Sequence, residues 1–310
     1  MDMLISLIML VVGFVFLVKG ADWFVDGSSS IAARLGIPQL VIGLTIVAMG
    51  TSAPEAAVSI TAALKGSADI TIGNVVGSNI MNVMVILGLA ASITTIAVTK
   101  STILFEIPFM IGITCLLTVL GLDGTISLAD GVILWGAFLL YMAYLFRMAK
   151  SGQAESTEDI ASDRPIWKSA LWTVVGLVFI ITGSNVAVDA ATDIARVLGL
   201  SERLIGLTIV ALGTSLPELF TSVSAAKQGN ADIAIGNIVG SNIFNILFVV
   251  GTSALVTPIP FATAFRTDSL IAIAASVLLL GCCLHRSRLS RKSGLALLAS
   301  YATYFAMVLV

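Results

Sequence analysis

Residues 40–82 read LVIGLTIVAMGTSAPEAAVSITAALKGSADITIGNVVGSNIMN, and residues 203–245 read RLIGLTIVALGTSLPELFTSVSAAKQGNADIAIGNIVGSNIFN. They align without a gap at an offset of 163, and 28 of 43 positions are identical. A shared apolar composition cannot produce that identity, so the chain consists of two homologous halves.

The composition says what the halves are made of. Of 310 residues, 58% are hydrophobic and 11% charged, where a soluble domain carries about 25% charged residues. Mean hydropathy is +1.06. These values exclude a water-soluble or disordered chain and point to a polytopic membrane protein. A membrane β-barrel alternates apolar and polar residues, whereas Leu4 to Val18 and Leu270 to Cys283 are almost unbroken apolar runs. A net charge of −2 offers no basic surplus for nucleic acid. Cys115, Cys282 and Cys283 lie in apolar stretches, which indicates neither a disulfide framework nor a zinc site. Met3 to Val18 reads as a retained first span, without a basic leader or a cleavage site.

Ten spans are expected, at about 3–34, 38–64, 69–96, 103–122, 128–148, 168–197, 203–226, 232–256, 267–284 and 292–310. The first and sixth carry Asp22 with Asp26 and Asp189 with Asp193, each pair on one helix face. The expected organisation is a first repeat over 1–149, a cytoplasmic linker over 150–167 and a second repeat over 168–310. The motif copies lie in spans two and three and in spans seven and eight. A shift of five spans is odd, so the copies enter the membrane from opposite sides, as in inverted-repeat transporters. Eleven lysines and arginines fall on the linker side against four on the side of the termini. The positive-inside rule then puts both termini outside the cytoplasm.

The repeated polar residues carry the chemistry. Pro54 and Pro217 remove amide donors from spans two and seven, which frees the carbonyls of Gly50 and Gly213, and distortion nearby releases those of Ala48 and Ala211. Thr51, Ser52, Thr214 and Ser215 add hydroxyls at the same level, with bonding back to their own helices as the rival role. Glu55 and Glu218 are intramembrane carboxylates and need counter-charge. The helical cores of the repeats hold no lysine or arginine, which leaves bound cations or protons. With oxygen ligands alone, hard cations such as calcium, sodium or magnesium are favoured. In spans three and eight, Ser78 with Asn82 and Ser241 with Asn245 share a face four residues apart, offering either ligands or helix contacts. Asn74 and Asn237, one turn earlier, are placed to lock helix contacts. Asp69 and Asp232 read as helix-start charges. Glu106 reads as facing an access pathway or a headgroup boundary. Asp123 and Asp130 read as flanking a turn, and His285 stands in a basic cluster.

At GTSAPE with GNVVGSNIMN, and GTSLPE with GNIVGSNIFN, the sequence resembles the cation/calcium exchanger superfamily, and most of all the prokaryotic sodium/calcium antiporters. The resemblance implies an all-α membrane protein of ten transmembrane helices in two inverted five-helix repeats. It makes Glu55 and Glu218 the central calcium carboxylates. Thr51, Ser52, Thr214 and Ser215 would line calcium and sodium sites with the carbonyls of Ala48 and Ala211, and Ser78 and Ser241 would serve sodium. Asn82 and Asn245 would fill the polar positions of spans three and eight, and the first and sixth helices would slide against the core. Many such exchangers have an aspartate at one of the last two positions, whereas here both are asparagine. Two glutamates balance one calcium or two sodium ions.

The leading expectation is therefore antiport of calcium against sodium in the cell membrane. Proton/calcium exchange is the alternative, because desolvation favours a neutral carboxylate, and a passive cation channel is the outside reading. No cofactor and no obligate protein partner is implied. The partners are the transported ions and the membrane lipids. No nucleophile–base pair or hydrolytic metal motif suggests an enzyme.

Overall fold

The computed structural model describes residues 3–151, 165–199, 211–284 and 286–309. The middle of the expected linker, the first residues of the expected seventh span and His285 lie outside the described residues.

Among the described residues, seven helices are long and apolar enough to cross a membrane. They are α1 (Met3–Leu35), α4 (Ile70–Ile93), α5 (Thr102–Asp123), α6 (Leu128–Ser151), α7 (Ile166–Val197), α10 (Ala231–Val256) and α11 (Thr263–Leu284). An eighth span is a bent pair, α2 (Gln39–Thr51) and α3 (Ala53–Leu64), meeting at 50°. The second half supplies the short α8 (Ala211–Gly213), then α9 (Leu216–Lys227), and the chain continues to α12 (Arg291–Leu309).

The break between α2 and α3 falls at Ser52. Pro54 stands in the first turn of α3, where its missing N–H costs nothing. The proline therefore starts a new half-helix instead of kinking a continuous one. Pro217 does the same at the start of α9.

The inversion is visible where α1 and α7 pack. Gly13 meets Gly183, Gly20 meets Gly176, and Gly27 meets Ser169 and Thr173. Residue numbers rise along α1 as they fall along α7, so the helices are antiparallel. A Cβ on Gly176 would lie 2.5 Å from the Phe24 amide nitrogen, so only glycine allows this approach. The seven-residue spacing of Gly13, Gly20 and Gly27 keeps the small residues on one stripe.

Helices α4 and α10 form the buried centre. Each widens into a π-helical segment, over Asn82–Ile86 and Asn245–Val250. Such turns are frequent at functional sites because they disturb the regular hydrogen-bond ladder.

Among the described residues, four two-residue strands, which sequence reading did not anticipate, tie the halves together. Strands β1 (Ile96–Ala97) and β4 (Arg288–Leu289) pair antiparallel, as do β2 (Thr125–Ile126) and β3 (Ile259–Pro260). Ile96 faces Leu289, and Ile126 faces Ile259. Adding 163 to Ile96 gives Ile259, and subtracting it from Leu289 gives Ile126. One ribbon is thus the repeat mate of the other, and each joins the first half to the second.

Candidate ion site

The site forms where the two breaks meet. Glu55 stands in the first turn of α3 and Glu218 in the first turn of α9, and both are buried. A helix N-terminus presents unsatisfied amides, and its dipole favours a carboxylate there. This local arrangement holds two acids at membrane depth before any ion is considered.

Each glutamate is braced by the opposite half. Ser52 Oγ donates to Glu218 Oε1 at 2.8 Å, and Thr51 of that opposite half flanks the same carboxylate together with Ser241 of its own half. Thr214 and Ser215 lie against Glu55, which also feels the charge of Glu218. Glu55 Oε2, Glu218 Oε2, Asn82 Oδ1 and Asn245 Oδ1 are all buried without a hydrogen-bond partner among the described residues. They form two pairs related by the offset of 163. Ser215 Oγ is likewise buried and unpartnered. Buried oxygens are ordinarily satisfied, so two acids and two amides that the repeat relates, each with a spare buried oxygen, are candidate cation ligands.

The remaining expected site residues fall into two groups. Ser241 Oγ approaches the Ala48 carbonyl at 3.4 Å, which brings these two together. Ser78 is buried on α4, and Thr214 is partly buried. Ala211 opens the short α8. The Ala48 carbonyl is not released by the break, because it accepts the Ser52 amide at 3.0 Å. The helical ladder of α2 persists to its last turn, and the second lone pair of this oxygen is shared by the hydroxyls of Ser241, at 3.4 Å, and Thr51, at 3.3 Å, which a cation would displace. Thr51 Oγ1 lies 3.0 Å from Asn237 Oδ1 and 3.1 Å from the Val47 carbonyl, so its proton serves the protein. The Gly213 carbonyl freed by Pro217 takes the Ser184 hydroxyl at 2.7 Å.

Asn74 and Asn237 lock helices together. Asn74 Nδ2 donates to Ser59 Oγ at 2.9 Å and to the Glu55 carbonyl at 3.2 Å. Asn237 repeats this with Ser222 Oγ at 2.9 Å and the Glu218 carbonyl at 3.4 Å. Sequence reading missed Ser59, Ser222, Asn79 and Asn242. The signal that could have found them is their identity in both repeat copies.

A cavity lies beside the start of α3. It has a volume of about 520 Å³ and is lined by Pro54, Ser184, Asn185, Asp189 and Thr214, among others. Subtracting 163 from Thr214 gives Thr51, which is fully buried. On that side Phe24 and Leu177 close over Gly50. Ser224 Oγ also donates to Asp22 Oδ1 at 2.6 Å, joining α9 to α1. The repeat mate of Asp22 is Asn185, which faces the open cavity.

Other acids have local roles. Glu106 is fully buried, contrary to either reading of it, and accepts from Tyr144 at 2.6 Å and from Ser101 at 3.0 Å. Asp123 and Asp130 accept the amides of Thr125 and Ser127 beside the turn. Asp232 sits in the first turn of its helix.

The sequence pattern of the sodium/calcium exchanger protein family matches residues 5–147 and 168–310. The chain belongs to the sodium/calcium exchanger family. The two matched segments start 163 residues apart, at 5 and 168, and end 163 apart, at 147 and 310. Among relatives of this family member, the sodium/calcium exchanger MaX1 of Methanosarcina acetivorans is 33% identical over 318 residues, covering 89% of this chain and 91% of that one. The inner membrane protein YrbG of Escherichia coli is 34% identical over 316 residues, covering 99% of this chain and 97% of that one. The solved structure of the sodium-calcium exchanger NCX_Mj, soaked with 10 mM Na+ and zero Ca2+, superimposes with a TM-score of 0.85 at 34% identity, covering 98% and 99% of the two chains. The fold is that of this family, with ten membrane spans in two inverted halves. The protein is a multi-pass membrane transporter and not an enzyme.

Proposed function

We propose that this chain exchanges calcium for sodium across the cell membrane by alternating access, using one central site between Glu55 and Glu218. The observation that carries the reading is the set of four buried, unpartnered oxygens, two from carboxylates and two from amides. Two carboxylates of unit charge neutralise one calcium or two sodium ions, which makes the cargoes mutually exclusive. Ser52, Ser215, Thr51 and Thr214 surround the carboxylates with hydroxyls. Ser78 and Ser241, on the faces of Asn82 and Asn245, and the carbonyls of Ala48 and Ala211 complete the oxygen set. Oxygen donors at a divalent site suit a hard cation.

In this reading residues 1–149 and 168–310 are the two exchanger halves, and the segment between them is a cytoplasmic linker. The chain ends are then extracytoplasmic by the excess of basic residues on the linker side. Helix α3 follows α2 outward, so the cavity beside Pro54 opens toward the extracytoplasmic face. The Asp22–Ser224 contact closes the cytoplasmic one.

The test is uptake of labelled calcium by proteoliposomes loaded with sodium and diluted into sodium-free buffer. Uptake that depends on the sodium gradient is expected. Uptake that follows a proton gradient and ignores sodium would overturn the coupling.

A further inference from the structure

A cation site needs oxygen from its asparagines, yet an amide can present either oxygen or NH2. The hydrogen bonds at the crossing of α4 and α10 decide which. Asn242 Nδ2 donates to the backbone carbonyl of Asn79 at 3.1 Å. A backbone carbonyl only accepts, so Asn242 must turn its NH2 toward it. The Asn242 Oδ1 is thereby committed to the other side, where it accepts from Asn82 Nδ2 at 2.9 Å. Asn82 then has its oxygen left over, buried and unpartnered. The mate runs in reverse. Asn79 Nδ2 donates to the Asn242 carbonyl at 3.2 Å, and Asn245 Nδ2 donates to Asn79 Oδ1 at 3.2 Å. The Asn245 oxygen is left over in turn. Asn245 shares a helix face with Ser241, which flanks Glu218.

We infer that Asn79 and Asn242 are positioning residues. Each fixes the polarity of an amide on the opposite repeat, so that Asn245 and Asn82 offer oxygen, and not NH2, to the transported cation. The inference rests on the proposed ion site. All four asparagines are buried, and the donors described at the Asn242 and Asn79 side-chain oxygens are Asn82 Nδ2 and Asn245 Nδ2. Flipping Asn82 would set its oxygen against Asn242 Oδ1 and two hydrogens against the cation. Removing Asn242 takes away the first penalty, and Asn82 becomes free to rotate. The polarity is set by backbone carbonyls, which cannot titrate or flip.

The experiment is a double-mutant cycle on purified full-length protein, reading calcium and sodium affinity by titration calorimetry alongside thermal unfolding. Asn82→Ala should weaken calcium binding, and Asn242→Ala should weaken it by about tenfold, the scale of one misdirected buried hydrogen-bonding group. In the Asn82→Ala background, Asn242→Ala should cost no further affinity, because no amide remains to orient. In the Asn82→Asp background it should again cost little, since a carboxylate presents oxygen in either orientation. Equal losses from Asn242→Ala in all three backgrounds would overturn the inference and leave Asn242 a packing residue. Wild-type affinity in Asn82→Ala would instead overturn the proposed site itself, and the inference with it. The mate pair, Asn79→Ala with Asn245→Ala, gives the same cycle independently should Asn242→Ala not fold.

Discussion

Glu218→Gln changes one charge and little else. The side chain keeps its length and an oxygen able to accept the Ser52 hydroxyl, now 2.8 Å from Glu218 Oε1. What disappears is one unit of charge beside a divalent ion. At a calcium–oxygen distance of about 2.4 Å and an effective dielectric of about 20, the gross attraction is roughly 14 kcal/mol. Dehydrating the carboxylate takes back several kcal/mol. A net loss of at least about 3 kcal/mol remains, so calcium affinity should fall at least about 100-fold. Glu55→Gln should do the same, since the repeat makes the acids equivalent. Folding should survive in both, because a neutral buried group has less hydration to lose. The assays are calcium binding by calorimetry and sodium-driven calcium flux, with thermal unfolding as the control. Calcium binding within a few-fold of wild type in either variant would refute the shared-carboxylate reasoning. A large drop in unfolding temperature would refute the claim that the charge serves the ion and not the fold.

Three further outcomes follow from the geometry. Asn245→Asp adds a third carboxylate and should raise the sodium Hill coefficient of calcium uptake, measured over a sodium titration. Asp22→Ala removes the 2.6 Å contact with Ser224 that joins α1 to α9. In a background without the three native cysteines, Thr221→Cys, at a fully buried position, should then react several-fold faster with a thiol reagent from the cytoplasmic side. Gly176→Ala drives a Cβ to 2.5 Å from the Phe24 amide nitrogen and should lower stability by about 1–3 kcal/mol, seen as earlier thermal unfolding in detergent.

Much of the fold was legible because the repeat is long and ungapped. The offset of 163 organises residues far outside the 43 first compared, down to the pairing of Ile96 with Leu289 and of Ile126 with Ile259. Those ribbons were invisible in the sequence, because two-residue strands have no periodicity to detect. The break at Ser52 was not anticipated within the span 38–64, since an interior proline and an N-terminal one differ only in where the preceding helix ends. Asn79 and Asn242 were passed over because reading spaced by four residues follows one face, while their bonds cross to the other half. The cavity beside Pro54 was beyond sequence altogether. The halves are nearly alike in their motifs, so their sequence specifies both members of a pair of states, and the structure holds one. Glu106 shows the opposite limit, since its tyrosine partner Tyr144 is 38 residues away and shares no motif with it.

The central claim is that sodium and calcium contend for the same buried oxygens between Glu55 and Glu218. The most direct measurement is the apparent calcium dissociation constant of the purified wild-type protein across a series of sodium concentrations at constant ionic strength. If the two ions share the carboxylates, the constant should rise with about the second power of sodium concentration, because two sodium ions replace each calcium. A calcium affinity indifferent to sodium would contradict the account.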